Sequence, residues 1–191
     1  MMHKKLLDYV SDFAHITEGD TDSIKEYFEP VSAGKCGFLI KESKIANHLY
    51  FINSGFVRVF HLENGCEITT QIIGPSSLLT SFNIFIKGTA ASEAVETITP
   101  CEFLRVSKEH HAALYEQSKD WALFCKNVYE KAIAIQEQRI KDILTLSAEK
   151  RYLKLISTQP EIIRNVPLQY IASYIGIKPE SLSRIRRQVI S

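Results

Sequence analysis

A single glycine between two apolar-periodic segments constrains this chain most. The segment Val166-Pro167-Leu168-Gln169-Tyr170-Ile171-Ala172-Ser173-Tyr174-Ile175-Gly176-Ile177-Lys178-Pro179-Glu180-Ser181-Leu182-Ser183-Arg184-Ile185-Arg186-Arg187 closes the sequence apart from its last four residues. Pro167 suits the first position of a helix, where its missing N–H costs nothing. Leu168, Ile171, Ala172 and Ile175 fall on one helical face. Gly176 then stops the helix by taking the left-handed conformation. Ile177 plugs the turn, and Pro179 opens a second helix with Leu182, Ile185 and Val189 as its buried stripe. Ala172 is small where the two helices must cross closely. Two short helices joined by a short turn with glycine form a helix-turn-helix.

The outward face of the second helix then carries Pro179, Glu180, Ser181, Ser183, Arg184 and Arg187. Arginine can bond guanine O6 and N7 together, and glutamate can accept from cytosine N4. Lys178, Arg186 and the pair Lys150-Arg151 suit phosphate contacts, which position a protein on a duplex without specifying sequence. The expected partner is double-stranded DNA. A plain helical hairpin with a solvated basic face is the alternative, and it leaves the coincidence of small residue, glycine, apolar plug and basic face without a reason. Lys178 departs from the pattern, because Ser, Thr or Asp caps a helix better there.

Charge divides the chain in the same place. Residues 1–130 hold 12 Lys/Arg and 17 Asp/Glu, net −5, whereas residues 131–191 hold 11 and 5, net +6. The overall charge of +1 hides this split, which marks the end of the chain for a polyanion.

Upstream, residues 1–30 predict two short helices ending at Pro30, with Leu6, Leu7, Val10 and Phe13 in one and Ile24, Tyr27 and Phe28 in the other. Residues 31–107 change character. Runs such as Phe38-Leu39-Ile40, His48–Ile52, Phe56–Phe60, Ile68–Ile73, Ala94–Ile98 and Glu102–Val106 alternate with turn signals. Asn64-Gly65 is the strongest hairpin signal. Short strands at this spacing mean an antiparallel sandwich or barrel. From Lys108 the period becomes helical. Trp121, Phe124, Val128, Ala132 and Ile135 form one stripe, and Tyr129, Ile133, Ile140 and Leu144 a second. One long helix over 118–145 is expected, with one face on its own β domain and the other on the same helix of a second subunit. The alternative is a helix buried within one large domain. The expected class is α+β: a β-roll domain over 1–117, a dimerisation helix over 118–145 and a helix-turn-helix domain over 146–191.

In this order the parts resemble the Crp/Fnr family of bacterial transcription regulators, with a cyclic-nucleotide-binding-like, jelly-roll-like β-roll in front. Gly37–Ile40 and Leu49–Val59 are similar to its early β-roll, Ile72-Ile73-Gly74-Pro75 to its central strand and turn, and Ile171–Arg184 to its DNA-reading motif. The resemblance implies a homodimer that presents two recognition helices to a pseudo-palindromic site, and contact with RNA polymerase. It places Glu180 and Arg184 where the family's base-reading acid and arginine lie. Pro179 stands where some members have another base-reading arginine, so a different operator preference is implied.

The departures bear on the effector. Cyclic-AMP-binding members carry a Gly-Glu pair for the ribose and an Arg-Ser pair for the phosphate. Thr80-Ser81 and Ala91-Ser92 stand there instead, so both the carboxylate and the arginine are missing. A buried phosphate without a cation is poorly compensated, and no cyclic-AMP response is expected. Arg58, Ser81, Asn83 and Ser92 are the candidates to line a pocket for an unidentified small-molecule effector. The family's β-hairpin wing would follow the recognition helix, but the sequence ends at Ser191, so wing contacts are expected to be missing.

No cofactor or metal is expected. Cys36, Cys66, Cys101 and Cys125 form no C-x-x-C pair and have no cluster spacing, and His110-His111 point about 100° apart on a helix. There is no H-E-x-x-H, nucleophile elbow or phosphate-cradling glycine loop, so a metal-dependent β-barrel oxygenase or other enzyme is not expected. The first residues carry acids and no apolar core of a secretory signal, and no run of about 18 apolar residues occurs. A cytoplasmic, membrane-free protein is expected. The competing reading is a small-molecule-sensing β-roll module whose basic end contacts a protein.

Overall fold

The computed structural model describes residues 2–42, 47–79 and 91–190. Two helices lead, α1 (Met2–Ser11) and α2 (Glu18–Tyr27). Thr17 and Asp20 form a capping box at the start of α2, each side chain bonding the other's backbone N–H. Among the described residues eight strands follow: β1 (Glu29–Ala33), β2 (Phe38–Ile40), β3 (His48–Ser54), β4 (Val57–Glu63), β5 (Cys66–Ile73), β6 (Ser77–Leu79), β7 (Ala94–Thr97) and β8 (Cys101–Ser107). The helices α3 (Lys108–Gln117), α4 (Lys119–Thr145), α5 (Ala148–Thr158), α6 (Pro160–Asn165), α7 (Leu168–Tyr174) and α8 (Pro179–Ile190) complete the chain.

The strands make two antiparallel four-stranded sheets, ordered β1-β8-β3-β6 and β2-β7-β4-β5. The sheets face each other without closing, so this is an open β-roll and not a barrel. The expectation that the second helix runs to Pro30 is corrected: α2 ends at Tyr27, and Pro30 lies in β1. Among the described residues β1 pairs only with β8, and such an edge strand tolerates proline, which has no N–H to donate.

Three apolar clusters hold the molecule together. Ile40, Ile52, Val57, Val59, Val95 and Phe103 fill the space between the sheets. Leu49, Phe51, Leu104 and Val106 turn to the outer face of the first sheet, where Leu6, Ile24, Phe28, Trp121 and Phe124 cover them. β3 is therefore buried on both faces, which is why His48–Ile52 reads as a continuous apolar run instead of alternating. On the outer face of the second sheet, Phe56, Ile72 and Ile98 pack with Tyr152, Leu155, Ile162, Ile171 and Leu182 of the C-terminal helices.

The long helix matches its expected span almost to the residue. Ser118 caps it by accepting the Trp121 N–H at 3.0 Å, and no Gly or Pro follows before Thr145. Its first half is anchored by Trp121, Phe124, Cys125 and Val128. Beyond that, Ile133, Ile135, Ile140, Ile143 and Leu144 are exposed, Leu144 to 78%. No helix among the described residues is long and apolar enough to cross a membrane.

Candidate nucleic-acid interface

The expected helix-turn-helix is α7, the turn at 175–178 and α8. Pro167 stands at the N-cap and not inside the helix as expected: its ψ of 141° is non-helical, while its carbonyl accepts the N–H of Tyr170 and of Ile171. The helix end is a complete Schellman closure. The Ile177 N–H reaches the Ala172 carbonyl at 2.9 Å and the Gly176 N–H reaches that of Ser173 at 3.0 Å. Gly176 has φ +73°, which a side chain would resist. The turn places α8 across α7, with Ala172 and Leu182 both fully buried at the crossing and Ile177 and Ile185 packed beside them.

This leaves one side of α8 outward. Glu180, Ser183, Arg184 and Arg187 recur at helical spacing on a common face, with Pro179 and Arg186 to one side and Ser181 to the other. Lys178, Pro179, Glu180, Ser181, Arg184, Arg186 and Arg187 are exposed, and Ser183 is half-buried. Among the described residues, Glu180, Arg184 and Arg186 enter no ion pair, so their charges are available to a partner. Lys150 is exposed as well. Arg151 is half-buried, and its guanidinium donates to the carbonyls of Ile175 at 2.9 Å and Leu146 at 2.6 Å, and so braces the junction between α4, α5 and the turn.

The pocket residues fare differently. Arg58 does not line the roll's interior. Val57 and Val59 face inward, so Arg58 between them points to the outer face, paired across the sheet with Ile72 and Glu96. It is 3% exposed, and its charge meets Glu96 and Glu67. Ser92 is exposed, beside buried Ala91. Ser81 and Asn83, like Thr80, lie outside the described residues. A groove of about 390 Å³ does exist between the roll and α4, bounded by Leu49, Gln71, Ile73, Leu78, Leu79, Val128, Tyr129, Ala132, Ile133, Gln136, Glu137 and Ile140. Sequence reasoning missed it because its walls come from distant segments. Glu137 is the one charged residue among these described lining residues. Among the described residues no group of three or more His, Cys, Asp or Glu is placed to hold a metal ion.

The family model of the cyclic nucleotide-binding domain matches residues 31–118, from β1 into α4's cap. No curated protein matches the sequence. Among solved structures, the c-di-GMP-responsive global regulator CLP of Xanthomonas campestris is similar at 17% identity and TM-score 0.71, over 91% of each chain. A protein from Eubacterium rectale described as a crp/fnr-family transcriptional regulator is similar at 16% identity and TM-score 0.71, over 91% of this chain and 83% of the other. The catabolite activator protein of Thermus thermophilus is similar at 17% identity and TM-score 0.57, over 92% and 84%. At these identities the likeness is one of fold, and it spans the β-roll, the long helix and the C-terminal helices together.

Proposed function

We propose that this chain, which has the Crp/Fnr fold, is a homodimeric DNA-binding transcription regulator that reads a pseudo-palindromic site through α8. The observation that carries the reading is the outward face of Glu180, Ser183, Arg184 and Arg187 on a helix whose opposite side is sealed by Leu182. Arg184 and Glu180 read base edges in the major groove, and Lys178 and Arg186 hold phosphates. Residues 1–117 serve as the sensing roll, 118–145 as the dimerisation helix and 146–191 as the reading head. The exposed Ile133, Ile140 and Ile143 of α4 are the seam for the second copy. Tyr129, Ile133, Gln136, Ile140 and Ile143 advance by alternating steps of four and three, which keeps one stripe facing a parallel partner. Two-fold symmetry then sets half-sites about one turn, ~34 Å, apart. RNA polymerase is the expected further partner, and cyclic AMP is not the expected effector.

Selection from genomic fragments, followed by affinity against salt, tests the reading. Enrichment of a palindromic motif with a steep salt dependence supports it. Equal retention of random DNA with a flat slope overturns it. The groove beside α4 favours a second reading, a sensor whose ligand is largely apolar. A melting temperature raised by an apolar ligand, without specific DNA retention, would select that reading instead.

A further inference from the structure

The reading head does not hang free of the roll, and Arg58 is one of the residues that join them. Its strand runs Val57-Arg58-Val59-Phe60, and the alternation that turns the valines inward drives this one cation onto the outer face, under α7. Burying a guanidinium is costly unless charge and hydrogen bonds compensate it. Here Nε donates to Glu96 Oε2 at 2.8 Å, and Nη2 meets Glu96 Oε2 at 2.5 Å and Glu67 Oε2 at 2.6 Å. The planar group also lies against two rings, 4.1 Å from the Phe60 centroid and 3.9 Å from that of Tyr170.

The origin of these partners matters. Glu96 is in β7, Glu67 in β5 and Phe60 in β4 itself, so the charge partners and one ring hold Arg58 rigidly to the roll. Tyr170, in α7, is the one contact of the set that comes from the reading head. A second polar bond lies beside it. The N–H of Thr69, on the edge strand β5, donates to Ser173 Oγ at 2.8 Å. A third tie reaches the long helix, where Arg139 Nη2 donates to the Tyr174 carbonyl at 2.9 Å. The apolar contacts of Phe56 and Ile72 with the head are non-directional. Ring stacking and a hydrogen bond fix angle as well as distance.

We propose that Arg58 is a positioning residue: it clasps Tyr170, sets the angle of the reading head on the roll, and so holds the dimer to one half-site separation. The proposal rests on the DNA-binding reading above. It assigns the buried cation a task in the geometry of recognition and none in effector capture.

Tyr170→Leu keeps bulk and removes the π face, and Tyr170→Phe keeps the face and loses only the hydroxyl. Arg58→Met with Glu96→Gln removes the cation without leaving its carboxylate buried and unpaired. Hydrogen exchange of the DNA-free protein is measured first. In Y170L and in the double variant, exchange should rise in 66–73 and 168–174 while 49–52 stays protected; Y170F should match wild type. Affinity is then measured for duplexes whose half-sites are moved apart or together by one and two base pairs. Wild type and Y170F should prefer one separation. Y170L should lose roughly tenfold of that discrimination, within the range of a cation–π contact between the exposed and the desolvated limits. Unchanged exchange in 66–73 and 168–174, or an unchanged spacing preference, overturns the proposal. Uniform loss of protection including 49–52 in every variant also overturns it, since Arg58 would then serve only the stability of the roll. If wild type selects no DNA, the functional reading fails, and the exchange data alone still decide whether the clasp holds the head.

Discussion

Cys125 Sγ lies 3.7 Å from His111 Nε2, where α4 folds back over α3. Both side chains are buried, and the rings of Trp121 and Tyr115 lie 6.1 Å and 6.3 Å from that of His111. Burial holds the His111 pKa down to about 4, against an ordinary 6.5, and pushes the Cys125 thiol up to about 12. The native state therefore keeps His111 neutral where the unfolded chain protonates. Its stabilising effect is complete above pH 6.5 and is lost as pH falls toward 4, on the order of 3 kcal/mol at most. Urea midpoints at pH 7.5 and 4.5 check this, and His111→Gln should show a flatter pH dependence. An equal slope in wild type and variant would count against it.

Arg184→Ala should weaken specific binding by about 1–3 kcal/mol and relax preference at one base pair of each half-site. Lys178→Ala should weaken all sequences alike and lower the salt slope by about 1 per monomer. Anisotropy titrations over an operator panel at several salt concentrations separate the two. The same loss on every sequence for both variants would remove Arg184 from base reading.

Ile133 and Ile140 are 60% and 58% exposed on a helix whose first half is anchored in the core. Placing a charge in a coiled-coil seam opposes association. Ile140→Glu should shift sedimentation from dimer to monomer while the roll's β signature by circular dichroism persists. A wild-type monomer, or a variant that stays dimeric, would sink the assigned seam.

Two glycines with positive φ should respond unequally to alanine. At Gly176 a Cβ meets no atom within 4 Å, so only the left-handed backbone opposes it. The cost should be about 1–2 kcal/mol. At Gly55 a Cβ would stand 2.4 Å from both Cys101 Sγ and the Pro100 carbonyl. Gly55→Ala should therefore lower the melting temperature far more than Gly176→Ala, and the reverse order would contradict the packing of β3 and β4 against the turn at Pro100.

The helix-turn-helix, the long helix and the Asn64-Gly65 hairpin were legible because local rules specify each. Gly176 ends a helix by its own backbone freedom, Ser118 starts one by its own hydroxyl, and Leu182 needs only its spacing to mark a buried face. β1 was not legible, since Pro30 reads as a terminator until an edge position makes it acceptable. Arg58 stood among the candidate pocket residues, and the structure turns it to the outer face of the roll. Which face a strand residue takes depends on register, and what covers that face depends on segments far along the chain. The sequence by itself thus determined the helix-turn-helix at the end of the chain and the charge it carries. Only the tertiary structure decided that Tyr170 seats on Arg58 and ties that head to the roll, because stacking and buried ion pairs exist only once distant strands and helices have been brought together.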